Sequence, residues 1–373
     1  MFAVAAGLVL LGHLLIAQPT VHLGYDATFY TRMVEGPMAD VPSPFRFRVL
    51  VPWLARQLPV PAPLALLIIS YASLFGCYVI VMASCRAIGL GLRESIFGVV
   101  AVWGSTWHLY YFWNPYLTDA FGLLMLTIMM WAVLTGTLWI FATASLIGVL
   151  AREGTAMLVP AWLVTRQWGA TILLAVCTLA VAALPRLWLA ASPDTIMAVP
   201  ALSGNQLAIN PVRLLRQLHA IWGIVWLLAL GGGLCLPRPY AWRLGAVLAA
   251  LLVGTVAASA VATDTGRMFA FLAPVLAVGC AQLYAVLRRK DAILTVAVTI
   301  AVAVQWIFNA PDVVIAPSSW IAGWPRRVFV VAELLLGLAI VVRVMWKTDA
   351  RIADTETSIA GRESRGDADT IKP

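Results

Sequence analysis

Charge is scarce in this chain. Only 11% of its 373 residues are charged, against about 25% in soluble domains, while 62% are apolar. That composition excludes an ordinary soluble protein and specifies a polytopic membrane protein. Spanning helices need about 20 apolar residues each, because their backbone polar groups must be satisfied internally. Barrel strands would alternate in polarity and these runs do not, so the expected class is all-α. Paired cysteines are missing too. Cys77, Cys85, Cys177, Cys235 and Cys280 are odd in number, scattered and without Cys-x-x-Cys spacing, which excludes a disulfide framework and a thiolate metal site. His13, His22, His108 and His219 show no ligand spacing and read as packed side chains. No P-loop, dinucleotide fingerprint, His-Glu-x-x-His motif or Ser-His-Asp set occurs, so hydrolysis by those routes has no support. Internal repeats, low-complexity tracts and a soluble domain are absent as well. Phe2 to Ala17 lacks a basic n-region and a small-x-small cleavage site, and reads as a retained first helix.

What is there is a series of apolar runs. Twelve read as membrane-embedded: 2–17, 62–84, 95–113, 120–137, 138–151, 155–166, 168–191, 219–236, 243–261, 268–287, 291–308 and 327–346. Two of them, 138–151 and 155–166, are short and read as half-length helices meeting at Arg152-Glu153-Gly154, where irregular backbone needs protein or a water-filled cavity around it. The formal charge of +8 is a topology signal, with no nucleic-acid partner expected. Arg288-Arg289-Lys290, Arg238 with Arg243, Arg86 with Arg93, and the tail after Arg343 all fall on one face if each run crosses once. That face is cytoplasmic by the positive-inside rule, with both termini on it. Residues 1–347 then form one transmembrane domain, and the polar segment 348–373 a disordered cytoplasmic tail.

The remaining charges collect outside. The first exterior loop, 18–61, holds Asp26, Arg46, Arg48 and Arg56 among Tyr25, Phe29, Tyr30, Phe45 and Phe47. Arginines kept where the sorting rule disfavours them suggest anion binding. Asp26 is a carboxylate beside a bilayer, costly unless paired or wetted, and so a functional candidate; a helix cap or a salt bridge to Arg32 is the structural alternative. In an extended segment, Arg46 and Arg48 point to one face with Phe45 and Phe47 on the other. Their guanidinium forks suit phosphate oxygens, though snorkelling toward headgroups explains them equally. Asp119 is placed to cap the helix starting at Ala120. Arg152 and Glu153 either neutralise each other or contact a substrate. Asp264 is placed to cap the helix that Arg267 enters, and Arg267 opposes that helix's dipole, which favours an anionic partner, either a ligand or Asp264 itself. Asn210-Pro211 opens an amphipathic stretch with Val212, Leu215, Leu218 and Ile221 on one side, and Val49 to Leu58 repeats the pattern more weakly; both read as interfacial helices.

This constellation resembles the membrane glycosyltransferases of the GT-C type, which take sugar from a polyprenyl-phosphate carrier. Gly24-Tyr-Asp26-Ala-Thr-Phe-Tyr30 is similar to their acidic first-loop motif, Val49 to Leu58 to a juxtamembrane helix, Leu150-Ala-Arg152-Glu153-Gly-Thr155 to the charged turn between short middle helices, and Asp264-x-x-Arg267 before Phe271-x-x-Pro274 to the later polar turn. Unlike many members, the chain has no large soluble C-terminal domain, and Asp26 stands alone between Tyr25 and Ala27. The resemblance implies transfer with inversion on the extracytoplasmic side, with Asp26 as general base. It implies phosphate or substrate contacts from Tyr30, Arg46, Arg48, Asp119, Arg152, Glu153, Asp264 and Arg267. Divalent metal or another cofactor is not expected, since arginine supplies the charge. The implied partners are a polyprenyl-phosphate-linked sugar, a glycan or lipid acceptor and membrane lipids, in a bacterial inner membrane. Competing readings are a transporter or lipid flippase without covalent chemistry, and a non-catalytic assembly subunit.

Overall fold

The structure, a computed structural model, describes residues 1–16, 25–189, 211–259, 269–314 and 330–343. His22, Asp264, Arg267 and the expected tail 348–373 lie outside the described residues. Among the described residues all regular structure is helical: α1 Phe2–Ile16, α2 Tyr25–Glu35, α3 Leu50–Arg56, α4 Ala62–Ala87, α5 Leu92–Trp103, α6 Thr106–Trp113, α7 Asp119–Thr135, α8 Leu138–Ala151, a 3₁₀ segment Glu153–Thr165, α9 Trp168–Leu189, α10 Pro211–Trp222, α11 Val225–Leu234, α12 Arg238–Ser259, α13 Ala273–Lys290, α14 Ala292–Val314 and helical residues 330–343. Four helical stretches among them are long and apolar enough to cross a membrane, five if the bent pair α10–α11 is one span. The chain is an integral membrane protein. Apolar helices of 10–17 residues occupy other runs, including 2–15, 119–135 and 138–151.

Two runs read as continuous are broken by side-chain space. The run 95–113 divides at Gly104-Ser105, because the Trp306 indole occupies the position a Gly104 Cβ would take. The Ser105 hydroxyl then accepts from the His108 amide at 3.3 Å and caps α6. The run 219–236 starts four residues too early, since His219–Trp222 complete the amphipathic α10. The chain then turns 95° into α11 at Gly223, whose φ is +47° and whose missing side chain leaves room for the Gln305 amide. That amide donates to the Trp222 carbonyl at 2.7 Å and ties the bend to α14. Leu215, on the apolar side of α10, is 54% exposed, as a side chain on an interfacial helix facing the membrane would be.

At the centre, α13 packs between α5 and α11 with backbones in contact. A Cβ on Gly232 would lie 1.8 Å from the Gly279 carbonyl oxygen, and one on Gly98 would lie 2.3 Å from that of Ala277. Small residues permit such approach where lipid offers no hydrophobic drive between helices. A second, smaller core lies under the first loop: Ala27, Tyr30 and Met33 of α2 and Val51 and Ala55 of α3 pack on Ala65 and Leu66 of α4, Tyr116, Leu117 and Ala151. These α2 positions recur every three residues, so one face of the helix is buried while Arg32 and Glu35 on the other are exposed. The loop is thereby a folded layer seated on the bundle.

Candidate active site

Tyr30 is the meeting point of that layer and the bundle. It is 1% exposed, and its hydroxyl receives Arg48 Nη1 at 2.7 Å and the Thr118 hydroxyl at 3.4 Å. Phe45 stacks on Phe29 at 4.8 Å and meets the Tyr30 ring edge-on at 5.8 Å, which seats the segment bearing Arg48 against α2.

The 44–48 segment is not extended. Pro44 adopts helical angles and Phe45–Phe47 form one 3₁₀ turn, so Arg46 and Arg48 diverge instead of sharing a face. Arg46 is 5% exposed and directs Nη1 to the Ala39 carbonyl at 3.4 Å. Arg48 reaches Glu153 instead, with Nε 3.1 Å from Oε2. The other oxygen of Glu153 lies 3.3 Å from Arg186 Nη2. Phe47 bridges the two branches, with the Arg46 and Arg186 guanidinium carbons 5.4 and 5.0 Å from its ring centre. Arg186 escaped the sequence reading because it sits in the run 168–191. Its one signal was being a lone charge in α9.

Arg152 and Glu153 do not neutralise each other. Arg152 ends α8 in extended backbone and forms an ion pair with Asp119 of α7, both essentially buried, while Phe271 lies 5.3 Å from its guanidinium carbon. Gly122, one turn along α7 from Asp119, leaves room for the Arg152 stem. Asp119 is the first residue of α7, with Thr118 at the cap position, so its carboxylate also complements the helix dipole.

Three arginines, Arg48, Arg152 and Arg186, thus surround the carboxylates of Asp119 and Glu153. For Arg48, burial works against the charged form but is outweighed by Tyr30, Glu153 and Asp119, and its pKa rises above the ordinary value. For Glu153, burial raises the pKa, yet Arg48, a backbone hydrogen bond and Arg186 prevail and hold it below the usual carboxylate range. A depressed folded-state pKa contributes stability above the unfolded value of about 4.3, lost as pH falls through the folded value. The wild type should therefore melt above a Glu153→Gln variant at neutral pH, and the gap should close progressively below about pH 4. A gap unchanged into strong acid removes the Glu153 ion pairs from the account.

Among the sequence candidates, Tyr30, Arg48, Asp119, Arg152 and Glu153 come together, Arg46 is linked through Phe47, and Asp264 and Arg267 lie outside the described residues. Asp26 is half-buried in the first turn of α2, one turn before Tyr30; residues so spaced are neighbours on one helix face, about 5–6 Å apart at Cβ. Three histidines have partners consistent with packing: His13 with Tyr71 at 3.1 Å, His108 with Tyr78 at 2.7 Å, and His219 with Glu333 at 3.4 Å.

No family model and no curated protein sequence matches the chain. Among solved structures it is similar to ArnT from Cupriavidus metallidurans bound to undecaprenyl phosphate, with a TM-score of 0.58 and 15% identity over 94% of this chain and 71% of that one. The chain shares the fold of that protein.

Proposed function

We propose that this protein is an integral inner-membrane glycosyltransferase that moves a sugar from a polyprenyl-phosphate carrier to a glycan or lipid acceptor on the extracytoplasmic side, with inversion. The observation that carries the reading is Arg48, which holds Tyr30 and Glu153 at once and so fastens a cationic cluster to the helix bearing Asp26. The ArnT fold, seen with undecaprenyl phosphate, supports a lipid-phosphate donor. The twelve crossings of the sequence reading, with both termini cytoplasmic, belong to the same proposal.

In this reading the acceptor hydroxyl oxygen bonds to the anomeric carbon from the face opposite the phosphate, and its proton passes to Asp26. The bond from that carbon to the phosphate oxygen breaks, its electron pair leaving with the polyprenyl phosphate. Arg48 and Arg186 stabilise the charge growing on the departing group, because fixed cations in a dry site need no reorganisation. Glu153 is a positioning residue that spaces those two guanidinium groups, and the Asp119–Arg152 pair fixes the floor. Arginine supplies the positive charge, so no divalent metal enters the step.

Removing Arg48 deletes a charge-assisted contact worth about 1.5–3 kcal/mol, which is roughly 10- to 100-fold in affinity. The Arg48→Ala variant should bind undecaprenyl phosphate that much more weakly in a fluorescence titration, and a wild-type affinity would sink the phosphate assignment. Mass analysis of envelope glycans and lipids from cells lacking the protein should reveal one missing sugar, restored by the wild-type chain. The break at Arg152 between two short segments also suits a carrier. Uptake driven by an ion gradient, with no covalent product, would decide for that alternative.

A further inference from the structure

Away from the charged cluster, α11, α12 and α13 enclose a groove of about 510 Å³. Its walls are nearly all apolar, with Leu248 and Leu276 among them, and Arg238 carries the only charge among the described lining residues. Two absences of side chain open it. Gly233 on α11 and Gly245 on α12 both line the groove, and a Cβ at either would meet nothing within 4 Å. Neither glycine is therefore there for close packing, in contrast to Gly232 beside it, whose Cβ would strike the backbone of α13. At the Arg238 end, Trp242 is 74% exposed, as an aromatic anchor is where hydrocarbon gives way to headgroups.

From this geometry we infer that the groove is a binding site for an anionic phospholipid, one acyl chain lying along Gly233 and Gly245 and the phosphate on Arg238. A peptide segment would bring backbone polar groups for which such walls offer almost no partner, whereas a hydrocarbon chain needs none. A guanidinium at the headgroup end complements phosphate, and net negative charge is favoured over a zwitterion. The sugar carrier is a poorer occupant, because its phosphate belongs at the Arg48 cluster and none of that cluster lines this groove. The choice against the sugar carrier rests on the proposed reaction, whereas the binding of an anionic lipid in this groove does not.

Native mass spectrometry of the full-length protein in detergent, with dioleoylphosphatidylglycerol and dioleoylphosphatidylcholine at matched concentration, tests it. The wild type should retain one phosphatidylglycerol about fivefold better than phosphatidylcholine. Arg238→Gln should abolish the preference while keeping a bound lipid, and Gly233→Leu with Gly245→Leu should lose the bound lipid itself while melting like the wild type. If the double variant is not recovered folded, Gly245→Leu alone carries the same expectation. Equal retention of the two lipids by the wild type, full retention by the filled variant, or displacement of phosphatidylglycerol by equimolar undecaprenyl phosphate overturns the assignment.

Discussion

An Asp26→Asn variant is expected to transfer sugar about 10² to 10⁴ times more slowly than the wild type while binding undecaprenyl phosphate unchanged. The substitution is nearly isosteric and removes the negative charge together with the proton acceptor. That rate loss corresponds to about 2.7–5.5 kcal/mol in the barrier, at roughly 1.36 kcal/mol per decade. Its structural cost is smaller, because a carboxylate in the first turn of a helix contributes about 0.3–1 kcal/mol through the dipole. The buried face of α2 rests on Ala27, Tyr30 and Met33, none of which the substitution touches. Melting temperature and carrier affinity should therefore stay near wild type while turnover collapses. Full transfer by Asp26→Asn from a purified polyprenyl-phosphate sugar would remove Asp26 as the base. A parallel loss of affinity and folding would instead make it a structural acid.

Much of this arrangement could be read from the residues because membranes leave few solutions. Charge is so costly in hydrocarbon that Asp119, Arg152 and Glu153 stand out at the joints between the apolar runs, and they do converge. The same logic found α10, whose apolar and basic residues alternate at helical spacing. Pairing was harder to read. Arg152 and Glu153 are adjacent in sequence, yet their partners come from α7, the first loop and α9, and no local pattern encodes which distant carboxylate a guanidinium reaches. Arg46 and Arg48 were misjudged because alternation implies a strand only where the backbone is extended, and a 3₁₀ turn after Pro44 rotates the two apart. Helix breaks were invisible for a related reason. Gly104 and Gly223 interrupt apolar stretches only because Trp306, about 200 residues from the first, and Gln305, about 80 from the second, fill the vacated space.

The Asp119–Arg152 pair should show the largest effect on stability. Arg152→Met leaves a carboxylate that is 1% exposed without its neighbouring counter-ion, and breaking a buried pair in this way costs about 3–5 kcal/mol. Asp119→Leu should cost a similar amount, moderated because the Arg152 guanidinium still faces the Phe271 ring. Replacing both at once removes the charges together, and an apolar pair of similar volume is often as stable as the ions it replaces. The double variant should therefore melt well above either single variant, with a coupling of opposite sign to the two losses in a double-mutant cycle. Arg48 also faces Asp119, so the Arg152→Met loss is expected at the lower end of the range. Activity then separates two roles for the pair. If it only holds α7 to the turn after α8, the stable double variant should recover transfer as it recovers folding. If the carboxylate of Asp119 tunes Arg48 for the phosphate, the double variant should be folded, bind the carrier weakly and turn over slowly. Additive losses in the cycle would mean that the two side chains are not energetically paired in the membrane at all.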